Sequence, residues 1–194
     1  FNQGYILAYA YQDQRDVYVP AEEIEEKDGD YFYKGEKVKR SYGKMGKSLK
    51  NAVNPDDMFE AYGCDTMRLY EMYMGPLETS KPWNTRDIVG VHRFLQRVWR
   101  NFYGEDAEKE QFLVTDEPAS KELRRALHKT IKAVSEDMER IRFNTALARL
   151  IELNNQLVAE KTVPREVAEA LTLMLAPLAP HVAEELWRDL GHDD

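Results

Sequence analysis

The sequence holds a single cysteine, Cys64, among its 194 residues. One thiol excludes a disulfide framework and any zinc site built on paired cysteines, and no other metal-ligand pattern is present. Long apolar runs are also missing, because no stretch approaches the roughly 18 residues that a membrane-spanning helix requires. The chain does not open with a secretory signal. These absences predict an intracellular, cytoplasmic protein with no membrane partner and no protein-bound metal.

Glycine and proline are scarce, at 10 and 8 residues, whereas 43% of residues are hydrophobic and 32% are charged. This balance excludes a collagenous or disordered chain and is typical of a protein with a packed core. The net charge of −8 excludes a strongly basic nucleic-acid module for the chain as a whole, although not for a local patch. The first residue is Phe1 rather than Met, so we expect a piece of a longer protein.

Residues 1 to about 42 carry short runs rich in tyrosine and valine. Two turn signals, Asp28-Gly29-Asp30 and Lys34-Gly35-Glu36, separate these runs. Aromatic and β-branched residues in short runs between such turns predict strands and hairpins. A segment of this size buries little core by itself, which again indicates a part of a larger domain.

From Asn54 onward the pattern is helical. Asn54-Pro55 predicts a helix start, and Gly63 predicts its end. Asp65 can cap the helix that follows, and Asp87 can open a third one. Helical spacing continues in three apolar stripes: Ile88, Val91, Leu95, Val98, Trp99 and Phe102; Leu123, Leu127, Ile131, Val134, Met138 and Ile141; Phe143, Leu147, Leu150, Ile151, Asn154, Leu157 and Val158.

Two further prolines, Pro164 and Pro180, predict the starts of two shorter helices, and Gly191 predicts the end of the last one. A polar link over 104–118 separates the third helix from those that follow. The sequence therefore predicts a mainly α protein, an antiparallel helical bundle preceded by a small β-rich segment. The three tryptophans, Trp83, Trp99 and Trp187, are expected as core or junction anchors.

Positive charge is concentrated in a few segments of this acidic chain. Residues 34–50 hold seven basic side chains against one acid, and residues 86–100 hold four arginines against Asp87. Arg93, Arg97 and Arg100 share one helical face. Such segments can bind a polyanion such as RNA, or they can be solvated helix faces, and the sequence leaves both interpretations open.

The most informative stretch is Gly43-Lys44-Met45-Gly46-Lys47-Ser48-Leu49-Lys50-Asn51. Glycines beside two lysines allow the backbone N–H groups and the ammonium groups to approach a chain of phosphates. The end of this stretch matches the P-loop motif, but the position that the P-loop requires as its first glycine is Ser41. The sequence thus favours a phosphate-binding lysine loop of another kind.

This stretch resembles the KMSKS loop of the class I aminoacyl-tRNA synthetases. The following segments, Asn51–Pro55 and Tyr62–Tyr70, are similar to the N-x-x-x-P and Y-G-A-D-x-x-R patterns of that family. Glu71–Trp83 and Arg93–Arg100 look most like its bacterial leucyl-type members. Near the end, Ala179–Trp187 resembles the P-H-x-A-E-E-L-W signature of the family's helical tRNA-binding domain.

The resemblance implies an enzyme that activates leucine with ATP and transfers it to tRNA-Leu. Residues 1–85 would then be the end of the catalytic nucleotide-binding domain with a loop at 44–48, and residues 86–194 a helical anticodon-binding-type domain. Lys47 and Lys44 would be catalytic, and Mg²⁺ would arrive with ATP. The ATP-binding residues would be Lys44, Met45, Gly46, Lys47 and Ser48. The arginines Arg93, Arg97 and Arg100 would contact tRNA, and Asp65 would support the loop.

The sequence also departs from the family pattern. Gly46 replaces the middle serine of the loop motif, which predicts a more flexible loop, and Lys50 stands where a glycine is usual. The HIGH motif is absent, because none of the four histidines lies in an H-x-G-H context, and the leucine pocket is not recognisable. The chain alone is therefore predicted to be inactive. Two alternatives stay open: a valyl- or isoleucyl-type synthetase, and a stand-alone helical RNA-binding module without catalysis.

Overall fold

The fold comes from a computed structural model, in which residues 2–104 and 112–192 are described. The chain divides into two compact units. Unit 1 comprises Phe1–Asp57 and Leu77–Asn84, and unit 2 comprises Met58–Pro76 and Thr85–Asp194. The predicted assignment of 1–85 and 86–194 to a catalytic and a tRNA-binding domain stays a prediction.

Unit 1 is built from short strands, as its tyrosine- and valine-rich runs predict. The first strand, β1 (Ile6–Gln12), pairs antiparallel with β6 (Lys39–Lys44) over a register that joins Leu7 to Lys44 and Gln12 to Lys39. Strands β2 (antiparallel) and β7 (parallel) also pair with β1, and β3, β4 and β5 form a separate three-stranded meander. The strands are β1 Ile6–Gln12, β2 Tyr18–Val19, β3 Ile24–Lys27, β4 Asp30–Tyr33, β5 Glu36–Lys37, β6 Lys39–Lys44 and β7 Lys81–Pro82.

Two tight turns define the meander. Asp28 and Gly29 have φ of 53° and 83°, and Lys34 and Gly35 have φ of 50° and 82°. Paired positive φ values give the turn whose twist matches that of a hairpin, and glycine adopts them without steric cost. The two predicted turn signals are confirmed. A small apolar cluster of Tyr11, Val19 and Val38, with Ala21, Ile24, Tyr31 and Tyr33 around it, forms a core of this unit.

The rest of the described chain is mainly helical, which confirms the coarse prediction of the fold class. A short parallel pair, Val114–Thr115 (β8) with Val163–Pro164 (β9), lies among the helices and is not apparent from the sequence. The seven α-helices of the described residues are α1 Pro55–Tyr62, α2 Cys64–Tyr73, α3 Ile88–Tyr103, α4 Lys121–Glu139, α5 Phe143–Leu157, α6 Arg165–Leu175 and α7 Pro180–Asp189.

The core of unit 2 comes from the predicted apolar stripes. Helices α2, α4 and α6 pack against α5, which buries its leucines completely. Three stripe members differ from the prediction. Trp99 is 39% exposed, Ile141 lies beyond the end of α4 and is 39% exposed, and Val158 lies beyond the end of α5 and is 58% exposed. The largest buried side chains are Phe94, Phe102, Leu69, Ile88, Leu147, Leu150, Leu153, Leu157, Leu171, Leu175, Leu178 and Leu186.

Most predicted helix ends are confirmed. Asn54 accepts a hydrogen bond from the Asp56 N–H (3.2 Å) just before α1, and Gly63 follows that helix with φ of 84°. Asp87 occupies the position before α3. The prediction that a helix starts at Pro164 is wrong, because Pro164 ends β9 and α6 begins one residue later at Arg165. Of the predicted polar link 104–118, residues 105–111 lie outside the described part.

Candidate functional site

The lysine loop of unit 1 starts inside a strand. Lys44 is the last residue of β6, and the next N–H, that of Met45, donates to the carbonyl of Ile6 on β1 (2.8 Å). After Gly46 the backbone makes a 3-10 turn over Lys47–Leu49. The stretch that carries the motif is therefore held at both ends by regular backbone hydrogen bonds. The side chains of Lys44, Lys47 and Ser48 are exposed.

Asn51 fastens this loop, a role that the sequence did not reveal. Its side chain is buried, with 5% of its surface exposed. Its Oδ1 accepts from the N–H of Gly46 (2.9 Å), and its Nδ2 donates to the carbonyl of Lys44 (3.4 Å). Asparagine side chains often form hydrogen bonds with nearby backbone groups in turns. An asparagine just after a glycine-containing loop was therefore the sequence feature that could have predicted this role.

The ammonium groups of the loop carry no counter-charge from the described residues. Lys44, Lys47 and Lys50 have no carboxylate within 4.0 Å in the part of the chain that is described, whereas Lys37 at the end of β5 and Lys39 at the start of β6 pair with acids at 2.7 Å. Unpaired ammonium groups beside a turn of exposed backbone suit a multiply charged anion. The local electrostatics therefore agree with the phosphate-binding interpretation of the motif.

Two backbone conformations bear on the predicted departures. Gly46 is extended, with φ of −172°, and a Cβ at this position would meet no atom of the described residues within 4 Å beyond its two chain neighbours. Its conformation therefore does not require glycine. Lys50 has φ of 51° and ψ of 34°, in the left-handed region where a glycine is unstrained and a lysine is not. This left-handed conformation explains why glycine is usual at this position in the family whose loop this stretch resembles.

The prediction that Asp65 caps α2 is wrong. It lies in the first turn of α2, but its carboxylate does not cap that helix, whose start has no side-chain cap. Instead Oδ2 accepts from the N–H of Val182 (2.8 Å), and Oδ1 accepts from the Nδ1 of His181 (2.7 Å) and, at 3.4 Å, from its backbone N–H. Asp65 thus caps the N-terminus of α7, where its negative charge also meets the positive end of the helix dipole.

A groove of about 550 Å³ opens beside this pair in unit 2. Helices α2, α3 and α7 supply its walls, which are mainly apolar. Its polar groups include His92, which contacts Thr66 Oγ1 (3.3 Å) through Nδ1 and Gln96 (3.0 Å) through Nε2. The lining residues are Tyr62, Gly63, Cys64, Asp65, Thr66, His92, Leu95, Gln96, Trp99, His181, Val182 and Glu185.

The three arginines that are predicted to contact tRNA all lie on α3, and their spacing of four and three residues is helical. Arg93 and Arg100 are exposed, and Arg97 is half-buried. Arg93 and Arg97 make no hydrogen bond or ion pair with the described residues, and the Nε of Arg97 is buried without a partner. All three belong to unit 2, whereas the lysine loop belongs to unit 1, so each set is a separate candidate.

Residues 2–104 and 112–192 hold no group of three or more His, Cys, Asp or Glu side chains arranged to bind a metal ion. Over the same residues, no helix is both long enough and apolar enough to cross a bilayer.

Comparison with known proteins gives consistent matches. A family described as the anticodon-binding domain of tRNA ligase matches residues 120–194. Leucine–tRNA ligase of Saccharopolyspora erythraea is 62% identical and that of Streptomyces avermitilis 60% identical, each over 100% of this chain. The chain spans about a fifth of the length of these curated relatives, 20% of each.

A solved structure is similar as well. It is the ternary complex of Agrobacterium radiobacter K84 agnB2 LeuRS with tRNA and LeuAMS. It matches 78% of this chain and 21% of its own length, at 27% identity and a TM-score of 0.64. A Mycobacterium tuberculosis methionyl-tRNA synthetase also matches, with a TM-score of 0.56 at 14% identity. This second match shows a similar fold alone.

Proposed function

Because this chain is homologous over its full length to one segment of the leucyl-tRNA synthetases, we propose that it serves in an enzyme that joins leucine to tRNA-Leu at the expense of ATP. The family resemblance predicted from the residues around the lysine loop is confirmed. The relatives are ligases as full-length proteins, and this chain corresponds to one part of them. The leucine pocket would lie outside the chain, and the compartment would be the cytoplasm.

The lysine loop would act on the ATP phosphates. Lys44, Met45, Gly46, Lys47 and Ser48 would surround them, with Lys47 and Lys44 as the catalytic pair. The observation that supports this assignment is the pair of exposed ammonium groups to which the described part of the chain offers no counter-charge, on a backbone that Asn51 holds in place. Charge builds on the departing pyrophosphate during adenylate formation, and a positioned ammonium group stabilises it there.

Mg²⁺ would arrive with ATP, because it binds phosphate oxygens and water more readily than a protein cage. The described residues of the loop include no carboxylate that could hold the ion, which fits this role as a component of the substrate. The ion would neutralise the phosphates while the lysines position them.

The helical part would bind tRNA-Leu. In finer detail, we propose that its helices form an antiparallel bundle of the anticodon-binding type over 86–194, with the loop-bearing end of the catalytic domain over 1–85. Arg93, Arg97 and Arg100 would contact the tRNA backbone. Two observations support this assignment: residues 120–194 match an anticodon-binding domain, and the guanidinium groups of Arg93 and Arg97 have no partner within residues 2–104 and 112–192.

The decisive experiment is amino-acid-dependent ATP–pyrophosphate exchange with the full-length protein that carries this segment, tried with each amino acid in turn. We expect exchange with leucine alone. Exchange with valine or isoleucine instead would identify a valyl- or isoleucyl-type enzyme, and no exchange with any amino acid would favour a non-catalytic RNA-binding module.

The 194-residue chain should be tested beside the full-length protein. We expect it to show no leucine-dependent exchange, because none of its four histidines lies in an H-x-G-H context. Exchange by the chain alone would overturn the view that the catalytic machinery is shared with residues outside it.

A further inference from the structure

We propose that the groove between α2, α3 and α7 receives an unstacked base of an RNA, which stacks on Trp99 while the adjoining phosphates lie against Arg93 and Arg97. This inference rests on the proposed binding of tRNA and adds to it a specific subsite. The groove belongs entirely to unit 2, and its volume of about 550 Å³ leaves ample room for a nucleobase.

Trp99 provides the stacking surface. The indole is 39% exposed although it belongs to an apolar stripe whose other members are buried. Tyr103, one turn further along α3, stacks on it with ring centroids 4.3 Å apart and an angle of 28° between the ring planes. The indole is therefore held in one orientation while it lines the groove. A rigid, exposed aromatic ring beside a cavity is the arrangement on which single-stranded bases stack.

The edge of a base would meet polar atoms that line the groove. His181 lines it, and its Nδ1 is engaged by the carboxylate of Asp65 (2.7 Å). The described residues give its Nε2 no partner, so this atom remains for a hydrogen bond to a base. Gln96, which is exposed and lines the same groove, offers an amide oxygen while its Nε2 contacts His92. Glu185 would not repel an anion strongly, because Arg188 pairs with it.

The arrangement of residues around α3 supplies the charge complementarity. His92, Gln96 and Trp99 succeed one another at helical spacing and form the wall of the groove. Arg93 and Arg97 each come one residue after a member of that wall, which places them about 100° around the helix. The opposite side of α3 is the buried core. The guanidinium groups of Arg93 and Arg97, which have no partner among the described residues, therefore lie on the solvent-facing side of α3 next to the groove wall, where they can hold phosphates of a strand whose base enters the groove.

The test is binding of an unmodified tRNA-Leu transcript to the full-length protein that carries this segment. We expect Trp99→Ala to weaken binding by about 5- to 100-fold, since base–aromatic stacking is lost. Trp99→Phe should restore most of the affinity. The matched control is Tyr73→Ala, because Tyr73 is similarly exposed at 43%, lies on α2 and does not line the groove. It should change the affinity less than twofold.

The arginines have a different expected signature. Arg93→Ala combined with Arg97→Ala should weaken binding and lower the slope of log affinity against log salt by about 2, one for each lost phosphate contact. Trp99→Ala should leave this slope unchanged, because stacking releases no counterions. A slope altered by Trp99→Ala, or unaltered by the arginine pair, would contradict the assignment of base and phosphates.

Photocrosslinking identifies the occupant directly. With p-benzoylphenylalanine in place of Trp99, we expect crosslinks confined to one or two unpaired nucleotides of tRNA-Leu, and with the same residue in place of Tyr73 no such focus. Crosslinks to the protein itself would overturn the proposal in favour of a protein segment that covers the groove.

The exchange assay separates failure of the subsite from failure of the proposed function. A wild-type protein that binds tRNA-Leu and exchanges with leucine, combined with unchanged affinity of Trp99→Ala, would overturn the subsite alone. A wild-type protein without leucine exchange and without tRNA-Leu binding would overturn both.

Discussion

The carboxylate of Asp65, on the first turn of α2, accepts a hydrogen bond of 2.7 Å from the Nδ1 of His181 at the start of α7, 116 residues away in the sequence. The same carboxylate accepts the N–H of Val182. Asp65 is only 7% exposed, so its hydrogen bond to the Val182 N–H contributes more than a surface contact would, whereas the imidazole of His181 is largely exposed. One acid thereby joins two helix N-termini and orients the imidazole that lines the groove.

Loss of this cap should loosen α7 locally. We expect Asp65→Ala to cost about 1–3 kcal/mol, because it leaves the first N–H groups of α7 without an acceptor. Hydrogen exchange of the His181 and Val182 amides in the full-length protein should become faster by about 5-fold or more. Asp87→Ala is the control, since Asp87 precedes α3 without making a side-chain cap. Equal exchange in both variants would contradict the capping role.

Lys47 should matter for the chemical step. If it stabilises the charge that builds on the pyrophosphate, Lys47→Ala should slow leucine-dependent ATP–pyrophosphate exchange by about 10²-fold or more. Lys37→Ala is a matched control on the same unit, because Lys37 is exposed and already paired with Asp30. An exchange rate that Lys47→Ala leaves unchanged would remove Lys47 from the mechanism.

Asn51 should act through the loop that it holds. Asn51→Ala removes the acceptor of the Gly46 N–H and the donor to the Lys44 carbonyl. We expect kcat/KM for ATP to fall by about 10- to 100-fold, since displacement of a positioned group by about 1 Å has an effect of this order.

A suitable control for Asn51 is Asn54→Ala, which removes an exposed helix cap three residues later. The loss should be largest when ATP is varied and small when leucine is varied. Equal effects on both substrates would indicate general unfolding instead of a displaced loop.

Lys50 is strained by its left-handed backbone. A non-glycine residue in this conformation destabilises the folded state by roughly 1–2 kcal/mol. Glycine removes this strain, but its greater entropy in the unfolded chain offsets about half of the gain in stability. Lys50→Gly should therefore stabilise the loop by about 0.5–1 kcal/mol. The amide of Ala21, which donates to the Lys50 carbonyl (2.9 Å), should exchange about 2- to 5-fold more slowly. Lys50→Ala keeps the strain and removes the charge, so a matching gain in that variant would refute the conformational explanation.

Glu166 predicts a pH dependence of the helical unit. Arg124 donates to its Oε1 (2.8 Å) and the Ala119 N–H donates as well (3.0 Å), and these bonds lower the pKa of the Glu166 carboxyl. A folded-state pKa below the unfolded value contributes stability above the unfolded value of about 4.3, and this stability is lost as pH falls through the folded pKa.

Acid unfolding followed by circular dichroism tests this contribution. Glu166→Gln should show a weaker loss of stability below about pH 4.3 than the wild type, because the titrating group is gone. Glu122→Gln on the first turn of α4 is the control, and it should follow the wild-type profile. A Glu166→Gln profile parallel to that of the wild type would show that the ion pair is too well solvated to matter.

Local features of the sequence determined most of the elements. The turns at Asp28-Gly29 and Lys34-Gly35 need positive φ, and glycine signals that need wherever it occurs. The helical stripes and the Asn54-Pro55 start depend on neighbours within four residues, so their spacing predicts them. The lysine loop was recognisable for the same reason, because its residues are contiguous.

Tertiary structure decided what those elements do for one another. Whether Asp65 caps its own helix or α7 depends on which N-terminus packs against it, and no local pattern contains that distance. Trp99 satisfies the apolar spacing of α3, yet it is exposed because the groove leaves its side of the helix uncovered. The burial of Asn51 likewise follows from the closure of the loop around it. Sequence spacing fixes the direction in which a side chain leaves its helix or strand, whereas only packing supplies the partner that it meets there.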